Sequence, residues 1–576
     1  MDILLTAINA KYIHSNLAVY SLKAYANQSE NNISIAEYTI NQRTDEILMD
    51  LYKRKPEVLC FSCYIWNWLY VKELIRDIKK ILPQTHIWLG GPEVSYDAAD
   101  VLVNHPQVEL VMKGEGEETF RELAEKMQIG GIADSELDEI KGITFRRSNG
   151  TLCENEWRET MDMDLLPFVY QDLKKFENKI IYYETSRGCP FSCSYCLSSI
   201  DKKLRFRSVE LVKKELQFFL DHKVSQVKFV DRTFNCEHKH AMEIWTYIKE
   251  HDNGITNFHF EVAADIFRED EIELLRELRP GLVQLEIGVQ STNEQTIKEI
   301  RRVMDFGQVS EVVTEINKGE NVHQHLDLIV GLPYENYECF SKSFNQVYAL
   351  QPEQLQLGFL KVLKGSFMEQ KKEEYELVYK GNPPYEVLST KWVSYEDVSR
   401  LKQIEEMVEI YYNSGQFSVT IPFLEKKFES PFRLYEALAI YYEEHQLHTL
   451  SHSRVRRYEI LLDFAKERDG ENTKVYRELL TYDLYLRENL KSRPCFSKEE
   501  RVDKEFLRAF YENEADNHNY LKGYEEYDKK QMRKMTHIEC FHYDLCGEEV
   551  REGKLVLFDY KNRNPINGQA AVFHIG

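Results

Sequence analysis

The chain has no run of about 18 apolar residues, the length a membrane-crossing helix needs, so no span is expected. It also lacks a regular cysteine framework. Its 11 cysteines are scattered irregularly over 576 residues, which excludes a small disulfide scaffold and points to a reducing compartment, the cytoplasm. The opening Met1-Asp-Ile-Leu-Leu enters a strand pattern without a basic region or small-residue cleavage site, so secretion is not expected. Positive charge is in deficit: 74 Lys and Arg face 96 Asp and Glu, a net charge of −22. That balance disfavours a general grip on nucleic acid, which rests on neutralising phosphates. Lys202-Lys-Leu-Arg-Phe-Arg207 and Lys529-Lys-Gln-Met-Arg-Lys534 are local basic stretches, read here as solvated faces.

What stands out against these absences is Cys189-Pro-Phe-Ser-Cys193-Ser-Tyr-Cys196, shortly after the apolar run Ile180-Ile-Tyr-Tyr183. Each thiolate can ligate one iron of a [4Fe–4S] cluster, so this C-x3-C-x2-C spacing leaves the fourth iron open to a small ligand. A zinc knuckle would want a fourth Cys or His nearby, and a disulfide would consume two of the three. His222 is far along the chain and nothing closer offers a ligand. The cluster is the favoured reading.

The chain length implies more than one domain, and 43% hydrophobic residues suffice for full cores. Short apolar runs at Ile3–Ile8, Ile33–Tyr38, Val58–Phe61, His86–Leu89 and Val108–Met112 read as strands. Helical patterns lie between them, including Ser15–Ala26, with Ser15 as its cap, and Tyr70–Leu82. This alternation predicts an open parallel α/β sheet over residues 1–130 with ligand loops at the strand C-terminal ends. Those loops are Asn9–Asn16, Ser62–Asn67, Gly90-Gly-Pro-Glu93 and Gly114-Glu-Gly-Glu117, where paired glycines allow close approach of backbone to a ligand. Residues 131–178 are polar, contain a short hairpin and read as a linker. Strands at Ile180–Glu184, Gln226–Asp231, Asn257–Ala263, Leu282–Val289, His323–Val330 and Gln354–Leu360 then predict a partial (β/α)6 barrel over 179–389. Whether Glu286, on the fourth of these, faces the cavity is undecided by sequence. Residues 390–576 show Tyr- and Glu-rich helical patterns and a terminal hairpin turning at Asn567-Gly568, so a mainly helical domain is expected, its aromatic residues read as core.

The cysteine spacing and the order of motifs behind it resemble the radical S-adenosylmethionine (SAM) superfamily, and the first quarter resembles the cobalamin-binding domain that precedes many of its barrels. The resemblance implies that SAM chelates the open iron, with Tyr195 beside the adenine. It places Asp231 at the methionine amino group, Glu261 near SAM, and Gln290, in Gly288-Val-Gln290-Ser-Thr, near the ribose or carboxylate. Arg302 falls at the spacing of an arginine that pairs the SAM carboxylate, with Arg301 as the alternative register, and Asp327, in Asp327-Leu-Ile-Val-Gly331-Leu-Pro333, contacts the ribose. For cobalamin it implies Asn9, His14, Ser62, Gly90, Gly91, Glu93 and Glu115. The family's usual D-x-H-x-x-G signature is absent. Tyr12-Ile-His14-Ser-Asn-Leu17 lacks both the Asp and the Gly, so cobalamin without a protein histidine below cobalt is expected.

The implied activity is C-methylation of an unactivated carbon through a 5′-deoxyadenosyl radical and methylcobalamin. The rivals are a cobalamin-dependent rearrangement or cyclisation without methyl transfer, and a non-catalytic cobalamin or iron–sulfur sensor, which has no need of the full SAM set. A flavodoxin- or ferredoxin-type electron donor is implied. A small metabolite, a peptide and a modified tRNA nucleotide remain open as substrates, with the acidic charge lowering the last.

Overall fold

The computed structural model describes residues 2–26, 32–128, 132–490, 492–497 and 502–575; the expected boundary at 130/131 lies outside them. The first unit is a seven-stranded sheet of β1 (Ile3–Asn9), β2 (Ile33–Thr39), β3 (Val58–Ser62), β4 (His86–Gly90), β5 (Leu110–Met112), β6 (Ile143–Arg146) and β7 (Leu152–Glu154). Its order is β2-β1-β3-β4-β5-β6-β7, and the first five strands are parallel. All seven residues of β1 are buried. Leu4 and Ile8 pack into one helix layer and Ile3, Leu5 and Ala7 into the other, as a strand covered on both faces requires. Strand order reverses at β1, so the crevice for a ligand opens between the ends of β1 and β3.

Two local expectations change. The hairpin expected within a linker is β6–β7, which pairs antiparallel with β5, Ile143 opposite Met112. It covers what would otherwise be an open sheet edge. The first helix spans Leu17–Ala26 and is capped by Asn16, whose Oδ1 accepts from Val19 N at 3.3 Å. Ser15 instead donates to the Ile180 carbonyl at the start of the next unit.

The second unit is a six-stranded parallel sheet, order β15-β14-β13-β12-β11-β8. It is built from β8 (Ile181–Tyr183), β11 (Gln226–Phe229), β12 (Asn257–Val262), β13 (Val283–Gln290), β14 (His323–Val330) and β15 (Gln354–Phe359). A short antiparallel ribbon, β9 (Ser186–Arg187) with β10 (Arg205–Phe206), brackets the cysteine loop. Alternation sorts the side chains. Val227, Phe229, Phe258, Phe260, Leu285, Ile287, Leu326 and Leu328 pack with the surrounding helices through Trp245, Val313 and Phe344. Their neighbours Tyr182, Lys228, His259, Glu261, Glu286, His325 and Asp327 therefore line the inside. Glu286 does face the barrel interior, where its Oε2 accepts from Lys228 Nζ (2.9 Å) and lies 3.0 Å from His259 Nε2.

Past a small ribbon of β16 (Val378–Tyr379) and β17 (Val387–Ser389), the last third is mainly helical, with helices at Tyr395–Val408, Pro431–Glu444, Arg454–Arg468 and Thr473–Arg487. It closes in an antiparallel sheet of β18 (Thr536–Tyr543), β19 (Glu549–Arg563) and β20 (Ala570–Ile575), one strand more than the expected hairpin. Tyr411, Tyr435, Tyr458 and Tyr476 are fully buried, so the aromatic richness is core. The helices share a core with the barrel, and Asn413 bonds both the N–H and the C=O of Leu355 on β15. No helix among the described residues is long and apolar enough to cross a membrane.

Candidate cofactor site between two sets of strand ends

The cysteine loop is fixed before any metal is considered. Cys189 N donates to the Asp201 carbonyl, Ser194 N to that of Ile300, and Cys196 N to that of Cys193. Gly188 sits at φ +88°, and a Cβ there would lie 2.6 Å from the Lys203 carbonyl oxygen, so only glycine lets the ribbon close. Cys189 and Cys193 are buried, Cys196 is partly exposed, and none forms a disulfide. Burial, with Cys196 and Cys193 close by, pushes the Cys189 thiol up. Crowded thiols of this kind suit a cationic metal centre, which deprotonates its ligands.

Arg302 joins this loop to the barrel. Its Nη1 lies 3.7 Å from Cys193 Sγ and 3.5 Å from the Tyr195 hydroxyl, and its Nη2 donates to the Gly288 carbonyl at the end of β13. Arg301 turns away and stacks on Phe367, 3.4 Å from the ring centroid. Gln290 is held at φ +73°. Its Oε1, Arg302 Nε and Asp327 Oδ1 are buried without a hydrogen-bond partner, although Asp327 Oδ1 lies 3.0 Å from His325 Nε2. Orphaned buried polar atoms in one place are the mark of a polar ligand, and an amino-acid nucleoside such as SAM fits them.

Asp231 departs from expectation. It is 1% exposed and accepts from Thr185 N (3.0 Å), Thr185 Oγ1 (2.5 Å) and Ser186 Oγ (2.6 Å). Burial raises its pKa to about 6 against these bonds. Its carboxylate ties β11 to the loop after β8 through these three bonds, so its observed role is that of a buried brace. Glu261 lines a cavity between the two units and lies within electrostatic reach of Asp327.

That cavity, about 630 Å³, is bounded by Asn9, His14 and Asn16 of the first unit and by Tyr182, Lys228 and Arg232 of the second. A neighbouring cavity of about 340 Å³ runs into the first sheet past Ser62, Gly90, Gly91 and Met112, and both share Glu115, Glu117, Glu184 and Arg187. A slot beside a wider chamber, both walled by apolar and polar side chains, fits a corrinoid with a nucleotide tail. Gly91 lies at φ +110°, ψ 169°, and an added Cβ would stand 2.5 Å from the Cys63 carbonyl oxygen. Gly91→Ala is expected to destabilise the first unit by about 1–3 kcal/mol, the cost of a conformation nearly confined to glycine, measured as a lowered unfolding midpoint by calorimetry. An unchanged midpoint would mean that the β3 loop yields freely.

Asn9 shapes the cavity from behind, donating to the His14 carbonyl and to Glu37 Oε1, while Ser62 Oγ lies 3.4 Å from Asn16 Nδ2. Glu115 stays on the cavity wall, with its oxygens taken by Arg205 Nη1 (2.5 Å) and Met161 N (3.1 Å). Glu93 is a correction. It lines neither cavity; it accepts from the Tyr385 hydroxyl and lies 3.5 Å from Lys364 Nζ, itself 2.7 Å from Asp97. It braces the first unit against the segment after the barrel, a contact no local spacing announces.

His14 Nδ1 lies 2.5 Å from the Tyr182 hydroxyl, and burial lowers its pKa. No carboxylate orients the ring. His14→Ala is therefore expected to leave the spectrum of bound cobalamin nearly unchanged, and histidine-nitrogen splitting in the wild-type Co(II) resonance would refute this. Tyr182, Arg187 and Arg232 escaped sequence reasoning. Strand alternation could have found Tyr182; the two arginines carry no local signal.

Comparison with known proteins matches three family models in order. Residues 3–124 match the B12 binding domain, 183–347 the Radical SAM superfamily, and 373–558 a protein of unknown function, DUF4080. The chain thus carries a B12 binding domain followed by a Radical SAM domain. The chain is similar to 2-(S-pantetheinyl)-carbapenam-3-carboxylate methyltransferase of Streptantibioticus cattleyicolor, 26% identical over 309 residues, covering 50% of this chain and 44% of the relative. It is similar also to the cobalamin-dependent radical SAM methyltransferase TokK of Streptomyces tokunonensis, 24% identical over 346 residues, covering 55% and 49%. The chain thus spans about half the length of these curated relatives. Among solved structures, the cobalamin-dependent SAM radical enzyme OxsB with aqua-cobalamin and SAM bound shares the fold, with a TM-score of 0.55 at 17% identity over 83% of this chain and 78% of that one.

Proposed function

We propose that this protein is a cobalamin-dependent radical SAM enzyme that methylates an unactivated carbon. The observation that carries the reading is the meeting of two sets of strand ends. The cysteine loop, through Gly188, Ser198 and Asp201, opens onto the same cavity that Asn9, His14 and Tyr64 of the first unit line. Cys189, Cys193 and Cys196 would hold the [4Fe–4S] cluster, Tyr195, Gln290, Arg302 and Asp327 the SAM, and Asn9, His14, Ser62, Gly90 and Gly91 the cobalamin. When bound, these groups supply a carbon-centred radical and a methyl donor. The chain's own part is placement. Arg302 presents a guanidinium fork for a carboxylate, and Tyr195 packs against an apolar cluster that contains Ile300, next to the cluster loop. The reaction runs in the cytoplasm on electrons from a flavodoxin- or ferredoxin-type donor.

The test is anaerobic incubation with SAM, reductant and cobalamin, read by mass spectrometry. Both 5′-deoxyadenosine and S-adenosylhomocysteine are expected. 5′-Deoxyadenosine alone would assign a radical reaction without methyl transfer, and neither product would point to a sensor.

A further inference from the structure

The cavity between the two units is lined by charged side chains, and nearly all of them are spoken for. Arg187 pairs with Glu117 (2.6 Å) and Glu184 (3.0 Å). Arg205, behind the wall, holds Glu115 (2.5 Å) and Asp201 (2.7 Å). Lys228 is 2.9 Å from Glu286, and His14 bonds Tyr182. Of the described residues lining the cavity, two charged side chains are left without a hydrogen bond or ion pair: Arg232 and Glu261. They are of opposite sign, and no ion pair joins them.

We propose that the substrate enters by a zwitterionic head group, as of an α-amino acid, with its carboxylate on Arg232 and its ammonium on Glu261. The proposal rests on the enzyme reading above and names the substrate class for it.

The placement of the pair supports this. β11 pairs with β12 so that Lys228 lies opposite His259. Extending that register puts Val230 opposite Glu261, and Arg232 one strand across and two residues further along. The backbone at both ends is fixed. Glu261 is set by the sheet on the inner face of β12. Arg232 stands between two anchored neighbours: Asp231, bonded to Thr185 and Ser186, and Thr233, whose Oγ1 lies 3.7 Å from Cys189 Sγ. The Arg232 backbone is thus fixed beside the cluster loop, and its side chain lines the cavity that Gly188, Ser198 and Asp201 of that loop also line, so a head bound there lies on the side of the reactive groups. Arg232 is exposed to the open cavity while Glu261 is half-buried. Burial pushes Glu261 up to about 7 against the pull of Arg232, with Glu286 and Asp327 adding to the rise. An unpaired buried carboxylate is costly, and an ammonium supplies the missing charge. A planar guanidinium binds a carboxylate through two parallel bonds. A hydrocarbon substrate would leave both charges stranded.

The experiment uses the anaerobic holoprotein carrying cluster, cobalamin and SAM, titrated with the proteinogenic L-amino acids one at a time and followed by saturation-transfer NMR. At least one is expected to bind at millimolar concentration or below. Its N-acetyl and methyl-ester derivatives, each stripped of one charge, should bind at least about tenfold more weakly, as should the parent amino acid to Arg232→Gln and Glu261→Gln, since each loses a charge-assisted hydrogen bond. SAM affinity should be unaffected by either substitution. No binding by any free amino acid, or derivatives binding as well as their parent, would overturn the proposal. So would loss of SAM affinity in either variant, which would hand the pair to the amino-acid end of SAM. The production of 5′-deoxyadenosine by the same samples, once a one-electron reductant is added, separates the two readings. If SAM is cleaved while no amino acid binds, the substrate class alone is wrong; if SAM is not cleaved, the enzyme reading fails.

Discussion

Replacing Cys189, Cys193 and Cys196 together by Ala is expected to leave a folded protein with no [4Fe–4S] cluster and no SAM cleavage, whereas the anaerobically reconstituted wild type takes up about four irons per chain. The loop should survive because its closure rests on backbone bonds to Asp201, Ile300 and Cys193 and on Gly188, not on sulfur. Circular dichroism should therefore match wild type while iron content and 5′-deoxyadenosine production vanish. A triple variant that kept about four irons would place the cluster elsewhere. Cys60 and Cys63 are poor candidates for that role, since both are fully buried in the first unit, where desolvation pushes their thiols far up.

The second large effect is expected at Arg302. Arg302→Ala removes a guanidinium that stands beside Cys193 and Tyr195 and donates to the Gly288 carbonyl. Hydrogen bonds to charged groups contribute about 1.5–3 kcal/mol, so SAM affinity should fall about ten- to hundredfold. Arg301→Ala is the internal control. Its side chain lies over Phe367, and its loss should cost SAM affinity little. Isothermal titration of SAM into the cluster-loaded variants decides between the two registers. Equal losses, or a loss from Arg301 alone, would show that the guanidinium beside the cluster is not the one that meets SAM. Sequence left this choice open because the two arginines are adjacent. The structure settles where each points, since the left-handed turn at Arg301, φ +56°, rotates the two side chains apart.

The same division runs through the whole molecule. The two α/β units in series, the cysteine motif and the place of Gln290 at the end of β13 were legible in the sequence. Each depends on short-range quantities: the spacing of three thiols, the period of apolar residues, and the place of a polar residue at a strand end. Ligand preferences and strand alternation act over a few residues and leave their mark in the chain order.

Tertiary structure alone decided what depends on partners far away in sequence. Asp231 looked like a free acid at a strand end and is instead a buried brace bonded to Thr185 and Ser186. Glu93 followed a glycine pair and yet serves Tyr385, 292 residues away. The hairpin β6–β7 carried the polar composition of a linker, and its role as sheet edge arises only because β5 would otherwise leave an unpaired edge. Arg232 and Glu261 are ordinary charges in the sequence, and only the fold shows that, of the charged side chains lining the cavity among the described residues, these two have no ion pair. A side chain's type is written locally, but whether it is satisfied depends on every group the fold brings within hydrogen-bonding reach.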